Sequence, residues 1–99
     1  MTLEEFTSSL GAPAPPAGLP EHLQALWYAG RHDWDMAHNI AQDIHSETGS
    51  WIHAHLHRQE GDESNAAYWY RRAGKPLPRT SITEEWQEIV SALLGSRDS

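Results

Sequence analysis

Cysteine is missing from the 99-residue chain, so disulfide staples, thiolate nucleophiles and cysteine-ligated zinc are excluded at the outset. A domain that folds without staples fits a reducing compartment, and a cytoplasmic location is the expectation. Long apolar runs are missing too, since no stretch approaches the ~20 residues needed to cross a bilayer. Met1-Thr-Leu-Glu-Glu-Phe6 has neither a basic start nor an apolar segment, so no secretory leader is expected. Basic residues are scarce: 7 Lys and Arg stand against 14 Asp and Glu, for a formal charge of -7. That balance repels phosphate backbones and anionic membrane surfaces, which leaves a protein or peptide as the expected partner, with no nucleic acid and no membrane. Arg71, Arg72, Lys75 and Arg79 form a small basic patch that can still meet one anion. There is no Gly-x-Ser-x-Gly elbow, no phosphate-cradling glycine loop and no His-Glu-x-x-His motif, Ala54 standing where the last would need its Glu.

What the chain does contain is helical punctuation. Thr2-Leu-Glu-Glu5 has the form of a capping box and predicts a short helix carrying Phe6 and Leu10. Residues 11–20 hold four prolines and two glycines and read as an extended connector. Residues 1–19 are therefore an N-terminal arm, able to dock on the body or on another chain. Residues 20–95 form the helical domain, and residues 96–99 a disordered tail. The first body helix starts at Pro20 or Glu21, with Leu19, Leu23, Leu26 and Trp27 at helical spacing and Gly30 as its end or a close contact. Asp33 caps a second helix running to about His45, with Trp34, Ala37, Ile40, Ala41 and Ile44 on its apolar face. Glu47-Thr-Gly-Ser50 reads as a turn, and Ser50 as the cap of a third helix from Trp51 to Glu60. Gly61 breaks that helix. Asp62 caps a fourth whose face carries Ala66, Trp69, Tyr70 and Ala73, and Gly74, Pro76 and Pro78 stop it. Ser81-x-x-Glu84 opens a last amphipathic helix with Trp86, Ile89, Val90, Leu93 and Leu94, ending at Gly95. The expected fold is all-α, with two antiparallel helix–turn–helix hairpins, a C-terminal capping helix and a short N-terminal helix on a Pro-rich arm. A core of roughly 75–80 residues only just suffices alone, so a homodimer or other homo-oligomer is expected.

Aligning Asp33 with Asp62 sets Ala37 against Ala66, Ala41 against Tyr70 and Ile44 against Ala73, and the same offset of 29 residues sets Ala25 against Ala54. The second copy, with Gly61, the small Ala66, the aromatic Tyr70, Ala73 and Pro78, resembles the second half of a tetratricopeptide unit. The first copy departs from that pattern with His32 for the glycine and Ala41 for the aromatic, and the offset falls short of the family's period. The resemblance covers about Leu19 to Pro78. It implies stacked hairpins and peptide or protein binding on a concave face. The blocks Trp34-Asp-x-Ala-His38 and Gly61 to Ala73 also resemble a group of short, uncharacterised bacterial proteins, which implies no activity.

Seven histidines are the chemical surplus of this sequence. On the third helix His53 and His57 lie at i, i+4, with Glu60 one turn on, a stripe that places two imidazoles and a carboxylate within reach of one ion. His38, on the preceding helix, is the outside candidate for a further ligand or a supporting partner. Two His and one carboxylate is a ligand set of many catalytic sites, and Zn, Ni or Fe are the ions it suits. Against this, such a pair arises readily in a His-rich chain, and a His beside aromatics is often a packing residue. His55 projects elsewhere, near Trp51 and Gln59. Ile52, Ala54 and Leu56 also alternate with histidines at a strand's period, an alternative that would dissolve the stripe. Tyr68 and Arg72 at i, i+4, with Asn65 one turn before, form a polar ridge. With His53, His57 and Arg58 this ridge could line a binding groove. Two functions follow: an interaction module using that groove, or a small metal- or His-dependent enzyme or ligand-binding protein on His53, His57, Glu60 and His38. At ordinary imidazole pKa values, protonating seven histidines would cancel the charge of -7, so solubility should fall between about pH 6.5 and 5.

Overall fold

Side-chain caps open five of the six helices in the computed structural model, which describes residues 1–95; the expected C-terminal tail lies outside the described residues. Thr2 and Glu5 make the reciprocal capping box of α1 (Leu3–Ser9). Pro20, with no side-chain cap to offer, precedes α2 (Glu21–Gly30). Asp33 accepts from the Met36 backbone at the head of α3 (Trp34–Ala41), and Asp62 from Asn65 at the head of α5 (Glu63–Ala73). Ser81 and Glu84 cap each other's backbone before α6 (Ile82–Gly95). Each such cap satisfies an orphan N–H and contributes about 1 kcal/mol. No strand occurs among the described residues, so the strand alternative for residues 51–57 falls: they lie within α4 (Glu47–Gln59).

The α3–α4 boundary differs from the sequence expectation. α3 stops at Ala41 and not near His45, and α4 starts at Glu47 under a Ser46 cap, so Glu47 to Ser50 are helical and not a turn. The reason is a tight corner. Asp43 and Ile44 donate to carbonyls three residues back, which overwinds the end of α3. Gly49 then lets the Ile44 carbonyl approach α4 more closely than any side chain would permit.

The two inter-helix turns, 29 residues apart, are conformationally alike. His32 at φ 63° and Gly61 at φ 85° both take the left-handed region. Asp33 N–H donates to the Tyr28 carbonyl and Asp62 N–H to the His57 carbonyl, each at 2.9 Å. In consequence α2 packs on α3, and α4 on α5, more extensively than any other pairs. Leu23, Leu26, Trp27, Ile52, Leu56, Ile89 and Val90 are fully buried between α2, α4 and α6. The N-terminal arm closes this core: Phe6 is fully buried and its ring lies 5.8 Å from Trp86. The indole N–H groups stay satisfied, Trp27 donating to Ser9 Oγ, Trp34 to the Leu56 carbonyl and Trp86 to the Leu26 carbonyl.

One polar cluster ties α4, α5 and α6 together. Glu85, 2 % exposed, accepts from Arg58 at 3.0 Å, sits 2.7 Å from Nδ1 of the fully buried His55, and accepts from the Tyr70 hydroxyl. Burial alone would raise the Glu85 pKa, but the bonds from His55, Tyr70 and Arg58 outweigh it and hold the carboxyl below its usual range. Burial, then the bond to Glu85, push Tyr70 upward, so it stays a donor. The His55 ring nitrogens are both occupied, with Gln59 at 3.2 Å on Nε2. No helix among the described residues is long and apolar enough to cross a membrane.

Candidate metal centre

His38 projects from α3 toward α4, where His53 and His57 stand one turn apart. The overwound corner between the two helices brings all three rings together. The ring centroids of His38 and His53 are 4.6 Å apart, those of His53 and His57 4.8 Å, and those of His38 and His57 5.7 Å. One nitrogen from each lies within 4.8 Å of the others, a group of the right type and spacing to hold a metal ion. The Nε2 atoms of His38 and His53 are 2.9 Å apart. Ligands at the ~2.0–2.1 Å zinc–nitrogen distance of a tetrahedral site span little more than that.

The surroundings orient these rings. Trp34, one turn before His38 on α3, stacks on it at 4.6 Å with planes 12° apart, and Trp69 of α5 stacks on His53 at 4.0 Å and 14°. Two indoles thus flank the imidazoles. Glu60 Oε2 lies 2.6 Å from His57 Nδ1. A carboxylate there holds the proton on Nδ1 and leaves Nε2 with its lone pair available, the usual support for a metal-ligating histidine. His53 and His57 are 8 % and 7 % exposed, and His38 is half-buried. Burial, followed by the neighbouring charges of His38 and His57, pushes His53 down to about 4. His38 is lowered as well, by burial and then by His57. Both rings are therefore neutral at pH 7, the state that ligates.

The expected site residues divide. His38, His53 and His57 come together, and Glu60 touches them through His57. A second grouping of His57, Glu60 and Asp62 shares that histidine, but its carboxylates are exposed. Tyr68 and Arg72 meet on α5, with the Arg72 guanidinium 5.8 Å from the Tyr68 ring and 5.4 Å from that of Trp69. Asn65 bonds only to the Asp62 cap among the described residues. Arg58 is engaged with Glu85 and the Thr80 and Ser81 carbonyls and does not join the histidines. Sequence reasoning missed the flanking indoles, although Trp34 precedes His38 by four residues and so shares its helix face. It also missed Glu85, whose signal was a carboxylate inside the apolar stripe Ile82, Trp86, Ile89 of α6. A groove of about 400 Å3 opens beside the centre, lined by His45, Ser46, Glu47, His53, Trp69 and Arg72 among others. Comparison with protein-family models, with curated proteins and with solved structures finds no match for this chain.

Proposed function

We propose that this protein binds a divalent transition-metal ion on His38, His53 and His57, with Glu60 orienting His57. The observation that carries the reading is the convergence of three imidazole nitrogens from two helices. Glu85 and Gln59 take up both nitrogens of the fully buried His55, whereas among the described residues Glu60 meets only Nδ1 of His57, which leaves its Nε2 without a protein hydrogen bond and available to a metal ion. Imidazole ligands suit Zn, Ni and Fe, and three protein ligands leave a coordination position open to water or substrate, as in catalytic rather than structural zinc sites. This set differs from the two-His, one-carboxylate arrangement expected from spacing, because α3 supplies His38 and Glu60 backs His57.

The interaction-module reading keeps less support. It wanted His53, His57, Arg58, Tyr68 and Arg72 on one surface, and Arg58 is held by Glu85. The test is elemental analysis of protein purified without an affinity tag. Stoichiometric metal should be present, lost in the His53→Ala, His57→Ala double variant and weakened in His38→Ala. Metal content near zero in the wild type after incubation with Zn2+ and desalting, or equal content in the double variant, would overturn the assignment.

A further inference from the structure

The groove beside His53 has a cationic wall with no carboxylate partner among the described residues. Arg72 lines it and makes no ion pair with a carboxylate among the described residues; its hydrogen bond goes to the Tyr68 hydroxyl at 3.4 Å. Arg58 is paired with Glu85, and Arg31 is held by the Leu10 and Ala12 carbonyls. Lys75 lies over Trp51, 4.2 Å from the ring centre. The Arg72 guanidinium is pre-positioned over Tyr68 and Trp69, and Trp69 is the same ring that stacks on His53. One indole therefore carries an imidazole of the proposed metal site and an arginine that donates one long bond to Tyr68 and has no carboxylate partner among the described residues, which leaves donors of its guanidinium for a planar anion. Glu47 also lines the groove, but its carboxylate lies toward Gly74 and forms no ion pair with Arg72 among the described residues. The groove's volume, about 400 Å3, falls in the range that takes a small molecule.

We infer that this groove receives a small carboxylate ligand, its carboxylate on Arg72 and its other end, bearing an oxygen donor, at the ion held by His38, His53 and His57. The inference rests on the metal reading above. A ligand of this kind would be short, with two oxygen-bearing ends, and a dicarboxylate is the simplest example.

The experiment uses the Co2+-loaded full chain, whose visible absorption reports changes in the coordination of the ion. Succinate is titrated against butyrate, which has the same length but one carboxylate. Succinate should perturb the spectrum and bind at least about tenfold tighter than butyrate, the scale of one charge-assisted pair. Arg72→Ala should abolish that preference, and Arg72→Lys should restore part of it. Arg72 is exposed, so neither change threatens folding. A spectrum indifferent to succinate, or equal succinate affinity in Arg72→Ala, overturns this inference while leaving the metal reading standing. A wild-type chain that takes up no Co2+ overturns both.

Discussion

Replacing Gly49 by alanine tests the corner on which the centre depends. In an ordinary helix interior this change would stabilise by about 1 kcal/mol, because alanine is the better helix former. Here a Cβ at position 49 would lie 2.0 Å from the Ile44 carbonyl oxygen and 2.9 Å from both the carbonyl carbon and Cβ of the same residue. The obstacle is backbone, and it is tethered: Ile44 N–H donates to Ala41, and the Ile44 carbonyl accepts from Ser46, the residue that caps α4. Moving it sacrifices a hydrogen bond of about 1 kcal/mol and disturbs the cap. Overpacking adds about 1–3 kcal/mol. After subtracting the propensity gain, Gly49→Ala should destabilise by about 1–3 kcal/mol, or roughly 5–15 °C in Tm for a chain of this length. Because His53 lies one turn beyond Gly49, the variant should also bind Zn2+ more weakly. Gly95→Ala is the control, since nothing lies within 4 Å of its Cβ position; it should be neutral. Urea unfolding followed by tryptophan fluorescence reads the difference. An unchanged midpoint for Gly49→Ala would mean that the Ile44 carbonyl does not press on α4 and that the corner is formed some other way.

Two further outcomes are expected. His32 holds the left-handed conformation that its counterpart Gly61 adopts freely. A non-glycine residue there costs about 1–2 kcal/mol, partly offset by the greater chain entropy of glycine, so His32→Gly should stabilise by about 0.5–1 kcal/mol. A lowered urea midpoint would show that the His32 side chain makes contacts worth more than the strain. The second outcome concerns pH. Folded His53 titrates at about 4 and His38 below its usual value, while the unfolded chain takes up these protons near pH 6.5. The unfolded state thus binds more protons between those limits, and stability present at neutral pH is lost as pH falls through 6.5 toward 4, on the order of 2–3 kcal/mol for His53. Below about 4.5, protonating Glu85, whose folded pKa is depressed, should add a second loss. A flat stability profile from pH 7.5 to 4.5 would refute the depressed histidine values. The same shift moves the expected solubility minimum to lower pH, because His53 stays neutral at pH 5 and His38 takes up its proton later than an ordinary imidazole.

The parts of this fold that were legible in the sequence are those decided within a few residues. The Thr2, Asp33, Asp62 and Ser81 caps and the left-handed stop at Gly74 were readable because a cap needs only its own turn. The α3–α4 boundary was not, because Ser46 and Ser50 can both cap a helix and Gly49 looks like a breaker until the chain that packs on it is known. His53 and His57 were legible as a pair from i, i+4 spacing and His38 as an outside candidate on the preceding helix, but what brings His38 onto the pair is the packing of α3 on α4, which spacing alone does not give. Glu85 and His55 each interrupt an apolar stripe, Ile52 and Leu56 on one helix and Ile82, Trp86 and Ile89 on the other, and their pairing across 30 residues could not be read from either stripe alone. The two sets of buried histidines can then be told apart by what satisfies them. His55 has protein partners on both nitrogens, so the fold itself explains its presence. His38, His53 and His57 instead bring their nitrogens together at the seam of two helices, with the Nε2 atoms of His38 and His53 meeting each other and not a carboxylate or amide. The proposed metal ion would take the nitrogens that the fold leaves without a carboxylate or amide partner, and the proposed anion would sit beside it on Arg72, which has no carboxylate partner among the described residues.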